Sequence, residues 1–323
     1  TAVGYQAGLK VGTGISNTLI GSEAGDALTT GSENTAVGYL ALSTEDGHGT
    51  NTAIGNRTLM TQNAGANAHN TGVGHYAGTA ITTGVENTLI GALAGDALTN
   101  ADFNVAIGKN ALSADTLGSK SIAIGLGALQ TQNFTTATAT FNVAVGHGAG
   151  GSVTTGVQNT LIGGLAGDAL TDADFNTAIG HLALSSDTLG SQSVAIGKEA
   201  LFTQNFTTAT ASNNVAIGHN AGFATTTATN NVFVGAFAGD AVTTGDNLVA
   251  IGRNALTTMT TGTANTAVGN FCLNGLTTSS SNTAVGQNCG ANITTGAQNT
   301  LMGDLCGDAL TDADFNVAIG HLA

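Results

Sequence analysis

A short hydrophobic phrase closes on glycine again and again along this chain, and a polar turn separates each phrase from the next. The glycine falls at positions 4, 21, 38, 55, 74, 91, 108, 125, 146, 163, 180, 197, 218, 235, 252, 269, 286, 303 and 320. The spacing is 17 residues, except 19 after Gly55 and 21 after Gly125 and Gly197. A fixed period that runs through all 323 residues points to a solenoid and excludes a conventional globular domain. Residues 1–323 read as a single continuous repeat array of about nineteen coils.

Within a copy, the residue before the glycine is large and apolar (Val3, Ile20, Val37, Ile54), with Met302 the one oddity. Two before it stands Ala, except at Leu19, Gly72, Leu89, Leu161, Phe233 and Leu301. Three before it stands β-branched Thr, Val or Ile. Such a run predicts a short strand, apolar on both faces. A second short run, with Ala three after the glycine, predicts a second strand before the next polar turn. The expected fold class is therefore all-β, a parallel β-roll or β-helix solenoid of 17-residue coils, each stacking about 4.8 Å from the next.

A longer period lies over the short one. Four residues after the glycine the chain reads Gly8, Gly25, Leu42, Leu59, Gly78, Gly95, Leu112, Leu129, so the larger unit is four coils. These units start near Asn17, Asn87, Asn159, Asn231 and Asn299. Inserted loops, fullest at 131–139 and 203–211, fall in the third coil of a unit.

A coil offers only about three sizeable apolar side chains, too few to offset the ordering of 17 residues. A second buried surface is needed, and other copies of the chain are the obvious supply; a homotrimer is the expectation. Four before the glycine, Asn occupies fifteen of eighteen copies, Ser121, Ser193 and Leu248 being the exceptions. Stacked in register, Asn34, Asn51, Asn87, Asn159 and Asn176 are expected to form an amide ladder, each donating to the next.

The phrases "NTAVGYLAL", "NTAIG", "TTGSENTAVG" and "SVAIG" resemble the shaft repeats of trimeric bacteriophage tail fibres and bacterial fibre-like adhesins. They are also similar to the head repeats of YadA-like trimeric autotransporter adhesins, although the 17-residue repeat is longer. The resemblance covers the whole chain. It implies a left-handed β-roll, three chains around one axis as a homotrimeric rod, and display outside a cell or virion. The chain starts inside a repeat at Thr1 and stops inside another at Ala323, so it reads as the middle of a longer fibre protein.

Charge narrows the partners. Six Lys and Arg stand against 20 acids, for a net charge of −14, which disfavours nucleic acid and anionic membrane surfaces. No catalytic constellation or phosphate loop occurs, so no enzyme is expected, and no cofactor. "GDALTDADFN" gathers Asp168, Asp172 and Asp174, and again Asp308, Asp312 and Asp314. Calcium takes oxygen ligands on such turns, although a solvated turn is the plainer reading. Cys272, Cys289 and Cys306 stack on adjacent coils as buried free thiols, their in-register spacing being too wide for a disulfide. His75, His147, His181, His219 and His321 follow the glycine at corners that read as solvated; near a trimer axis such a histidine could meet its symmetry mates at a metal.

These features favour a structural shaft holding a receptor-binding tip at a distance. The alternative is a direct adhesin whose inserted loops bind a host-surface polysaccharide or protein receptor, with Phe134 and Phe206 as exposed aromatic contacts; the plainer reading of these two rings is that they tuck against a neighbouring chain. Ice binding is a remote third reading, because it calls for a flat Thr-x-Thr array.

Overall fold

The β-branched phrase before each glycine forms a strand, of three residues except for the two of Ala2–Val3, and within each of the two units below every strand pairs in parallel with that of the next coil. The computed structural model describes residues 1–323, which fall into two units, Thr1–Asn159 and Thr160–Ala323. The first holds nine coils, with strands from Ala2–Val3 through Val143–Val145. The second holds ten, from Thr160–Ile162 through Val317–Ile319. Register is conserved from coil to coil: Thr18, Leu19 and Ile20 face Thr35, Ala36 and Val37, which face Thr52, Ala53 and Ile54. The chain is thus an all-β parallel solenoid of about nineteen coils of roughly 17 residues, without a helix.

The ordinary coil has one strand, not the expected two. Beyond the glycine the chain runs through successive tight turns, because the residues two and four after it lie in the left-handed region, as at Leu40 (φ 55) and Leu42 (φ 52). A leucine in that region costs about 1–2 kcal/mol. Leu42 is fully buried, and burying a leucine returns about 1.5–3 kcal/mol. The turns still stack: Glu23 N–H donates to Tyr5 O at 2.8 Å, and Gly25 N–H to Ala41 O at 3.0 Å.

The corner glycine is a matter of backbone contact. Gly21 has φ 131, and a Cβ there would lie 2.5 Å from the carbonyl oxygen of Gly38. Coils could not close to their stacking distance around any larger residue.

The four-coil period is a packing rule. The middle residue of each strand points inward, and where it is Leu or Phe, the positions four after the glycine in that coil and the preceding one are Gly. A Cβ on Gly78 or Gly95 would lie 2.6 or 2.8 Å from Leu89; on Gly222 or Gly239, 2.7 or 2.5 Å from Phe233. The other coils carry Ala in the strand and Leu at the turn. One large side chain in the strand and two at the turns fill the same interior, at constant packing density.

Candidate functional site

Two features of each unit stand out from the plain repeat: an apolar column on the outside and a buried polar centre inside particular corners.

The column follows from the strand's alternation. With the middle residue inward, the residues on either side of it face out. The last strand position therefore sets Ile or Val on the outside of coil after coil. Ile20, Ile54, Ile90, Ile162, Ile217 and Ile251 are 37–40% exposed. The outward pair is Thr-x-Ile, as at Thr18 and Ile20, or Val-x-Ile, as at Val194 and Ile196, not Thr-x-Thr.

The buried centre lies where the loops are inserted. Asp115 and Asp187 occupy a phase that is apolar in most coils, and both are fully buried. Asp115 Oδ1 accepts the backbone N–H groups of Gly118 and Phe134, each at 3.0 Å. Gln132 Nε2 donates to Asp115 Oδ2 at 2.6 Å and to Ser121 Oγ at 2.9 Å, while Asn142 Nδ2 donates to Gln132 Oε1 at 2.9 Å. Asp187, Gly190, Phe206, Gln204, Ser193 and Asn214 repeat this arrangement in the second unit. Ser stands at 121 and 193, where most other coils have Asn, and its hydroxyl accepts the Gln amide. Burial pushes the Asp115 carboxyl above its ordinary range, against the pull of Gln132, Phe134 and Gly118. The inserted segments then add a second small sheet, Thr138–Ala139 beside Gly118–Ser119 and Thr210–Ala211 beside Gly190–Ser191.

This centre escaped the sequence reading. Its signal is present, as an acid and a glutamine at a phase held elsewhere mostly by Leu, Ile or Val. It also changes the expected contacts. The rings of Phe134 and Phe206, read as exposed, are turned inward and are 7 and 5% exposed. Each loop is tied by its phenylalanine N–H to the buried carboxylate, which draws the ring in; Phe206 packs over Gly190, 2.8 Å from where a Cβ would be. Phe103, Phe141 and Phe175 are among the aromatics that do face outward, and Lys120 Nζ sits 5.1 Å above the Phe141 ring.

The asparagines are buried and stacked, but their bonding differs from an amide-to-amide ladder. Asn34 Oδ1 accepts Asn51 N–H at 3.1 Å, and Asn34 Nδ2 donates to His48 O at 3.1 Å. Asn87 Oδ1 likewise accepts Asn104 N–H, and Asn87 Nδ2 donates to Ala101 O. Asn51 Oδ1 accepts Asn70 N–H, and Asn176 Nδ2 reaches Gly190 O. The side chains chiefly satisfy backbone groups of the next coil that burial would otherwise leave unpaired. Direct amide contacts join only some neighbours, Asn87 to Asn70 at 3.2 Å and Asn159 to Asn142 at 3.4 Å among them.

Cys272, Cys289 and Cys306 are free and buried. Cys272 Sγ donates to Ala284 O at 3.3 Å, and a hydrogen bond with Cys289 together with burial pushes its thiol well above the ordinary range. The acids of "GDALTDADFN" spread over the coil. Asp168 is half-buried, and burial raises its carboxyl. Asp174 lies on the next corner, and its N–H donates to Ser191 Oγ at 3.0 Å. Asp314 Oδ1 accepts Ala297 N–H at 2.7 Å, Asp312 accepts from Thr311 at 3.2 Å, and Asp308 O accepts from Asn292. Asp172, the counterpart of Asp312 in the earlier copy, is exposed. The cluster of three ligand-bearing side chains lies elsewhere, at Glu45, Asp46 and His48. His321 stands 3.4 Å from Asp304, and His219 packs edge-on to Phe237.

No protein-family model matches the chain, and neither a curated protein nor a solved structure is similar to it.

Proposed function

We propose that this chain is a stretch of the shaft of an extracellular trimeric fibre, in which three left-handed β-rolls pack along their outward Ile/Val columns and extend a receptor-binding or adhesive tip from a cell surface or virion. The carrying observation is the column itself. An isoleucine 37–40% exposed, as at Ile20, Ile54 and Ile90, leaves on the order of 70 Å² of apolar surface, and the half-buried Val and Ile of the coils between add less. Over nine or ten adjacent coils this amounts to several hundred Å², the scale of the ~800 Å² that one partner contributes to a standard interface. Contiguous apolar surface of that extent marks an interaction site, and a column that repeats at the coil spacing is complementary to a copy of itself. Light scattering on the chain tests this. A threefold mass that falls to monomer in Ile179→Glu/Ile196→Glu supports the shaft, and a monomeric wild type sinks it.

A second reading, a direct adhesin, has its own observation. Beside the second inserted loop lies an open recess of about 240 Å³, lined by Asp174, Phe175, Ser191, Gln192 and Thr210. An aromatic face with a carboxylate, an amide and hydroxyls around it suits a single sugar residue. Saturation-transfer NMR with a panel of monosaccharides, on wild type and Phe175→Ala, tests it. Transfer to a sugar that disappears in the variant supports the reading, and transfer that persists unchanged, or is missing from the wild type, refutes it.

A further inference from the structure

The buried acid recurs in three corners, and one of the three lacks its usual partner. Asp115 and Asp187 each receive two backbone N–H donors and a glutamine amide. Glu45, fully buried at the equivalent point of the first corner, receives His48 N–H at 3.1 Å and Ala64 N–H at a long 3.4 Å. The glutamine of that corner, Gln62, keeps its other bonds, Nε2 donating to Asn51 Oδ1 at 2.9 Å and Oε1 accepting from Asn70 Nδ2 at 3.1 Å, but makes no hydrogen bond to Glu45. A carboxylate removed from water with too few donors is neutralised either by a proton or by a positive charge beside it.

The residues around it have changed together. Where the other corners read Asp-Thr-Leu-Gly, this one reads Glu-Asp-Gly-His. Phe134 and Phe206 are replaced by Ala64, and Gly118 and Gly190 by His48. The imidazole thus grows from the point that Phe206 covers in the second unit. Its Nδ1 is buried, makes no hydrogen bond, and lies 3.5 Å from Glu45 Oε1. Asp46 adds an exposed carboxylate where Thr116 and Thr188 stand, and ligand atoms of all three side chains lie within 4.8 Å of one another.

We propose that Glu45, Asp46 and His48 bind a divalent transition-metal ion of the zinc class, with water completing its shell. Two ligands on a tetrahedral ion with bonds of about 2.1 Å are about 3.4 Å apart, which the Glu45–His48 separation already matches. One imidazole nitrogen with two carboxylates favours zinc or manganese over calcium, which wants six or more oxygens. The ion clips a corner whose loop lacks the phenylalanine anchor of the other two.

Equilibrium dialysis against zinc chloride, followed by calorimetry, tests the site with two variants that borrow residues from the sister corners. Asp46→Thr copies Thr116, and His48→Phe refills the ring space without a ligand nitrogen; circular dichroism checks that both fold. One zinc per chain, weakened at least about tenfold in each variant and unchanged in His75→Asn, is the expected result. The cobalt(II)-substituted chain should show the visible absorption of a tetrahedral site. Zinc uptake that is absent, equal in both variants to wild type, or reduced in only one of them overturns the three-ligand site.

Discussion

Leu19 occupies the space that a side chain on Gly25 would need: a Cβ at Gly25 would lie 2.7 Å from Leu19 Cδ2. The pair defines how the interior accommodates two residue sizes at one phase. The same trade is repeated at Leu89 with Gly78 and Gly95, so the four-coil period is a property of volume, not of the backbone.

Leu89 and Gly95 should therefore be coupled. Gly95→Ala overpacks the coil and places Ala at φ 55, a loss of about 1–3 kcal/mol. Leu89→Ala opens a cavity worth about 2–5 kcal/mol. The double variant should cost less than the sum, because the new methyl group occupies part of the vacated space. Denaturant unfolding of the three variants reads the coupling.

Asn104 carries two buried backbone groups of the next coil. Its Oδ1 accepts Ser121 N–H at 2.9 Å and its Nδ2 donates to Gly118 O at 2.9 Å. Asn104→Ala strands both, at about 1–3 kcal/mol for each unpaired group. Hydrogen exchange should show the Ser121 amide losing protection ahead of the strands around it.

Asp115 makes stability depend on pH with a definite sign. Burial raises its carboxyl in the folded chain, so the native state holds the proton more tightly than the unfolded state. The contribution is full below the ordinary carboxylate value and is lost as pH rises through the folded pKa. Asp96, Asp168 and Asp240 are raised by burial in the same direction. The thermal midpoint should fall as pH is raised from about 4 toward neutrality. Asp115→Asn, although less stable at every pH, should show a flatter dependence in melts at constant ionic strength.

The cysteine column should behave as enlarged alanine. Cys272, Cys289 and Cys306 are buried and stand at a phase where most coils have Ala. Cys289→Ala should change stability by less than about 1.5 kcal/mol. Thiol-specific reagents should label all three only on unfolding, at a rate that tracks denaturant concentration.

The repeat by itself determined the solenoid, the strand before each glycine, the inward Ala or Leu of that strand and the buried stack of Asn17 to Asn299. Each of these depends on period and phase, which a sequence displays directly. Tertiary structure decided what depends on which atoms meet across coils. Left-handed turns replace the second strand, with either glycine, which takes that conformation freely, or a fully buried leucine four residues after each corner. Asn side chains bond mainly to the next coil's backbone because that is where unpaired groups lie. Phe134 and Phe206 turn inward because Asp115 and Asp187 hold their loops by the backbone. Glu45, Asp46 and His48 are near neighbours in sequence, but that their ligand atoms lie within 4.8 Å of one another, and that Gln62 makes no bond to Glu45, no spacing of letters records.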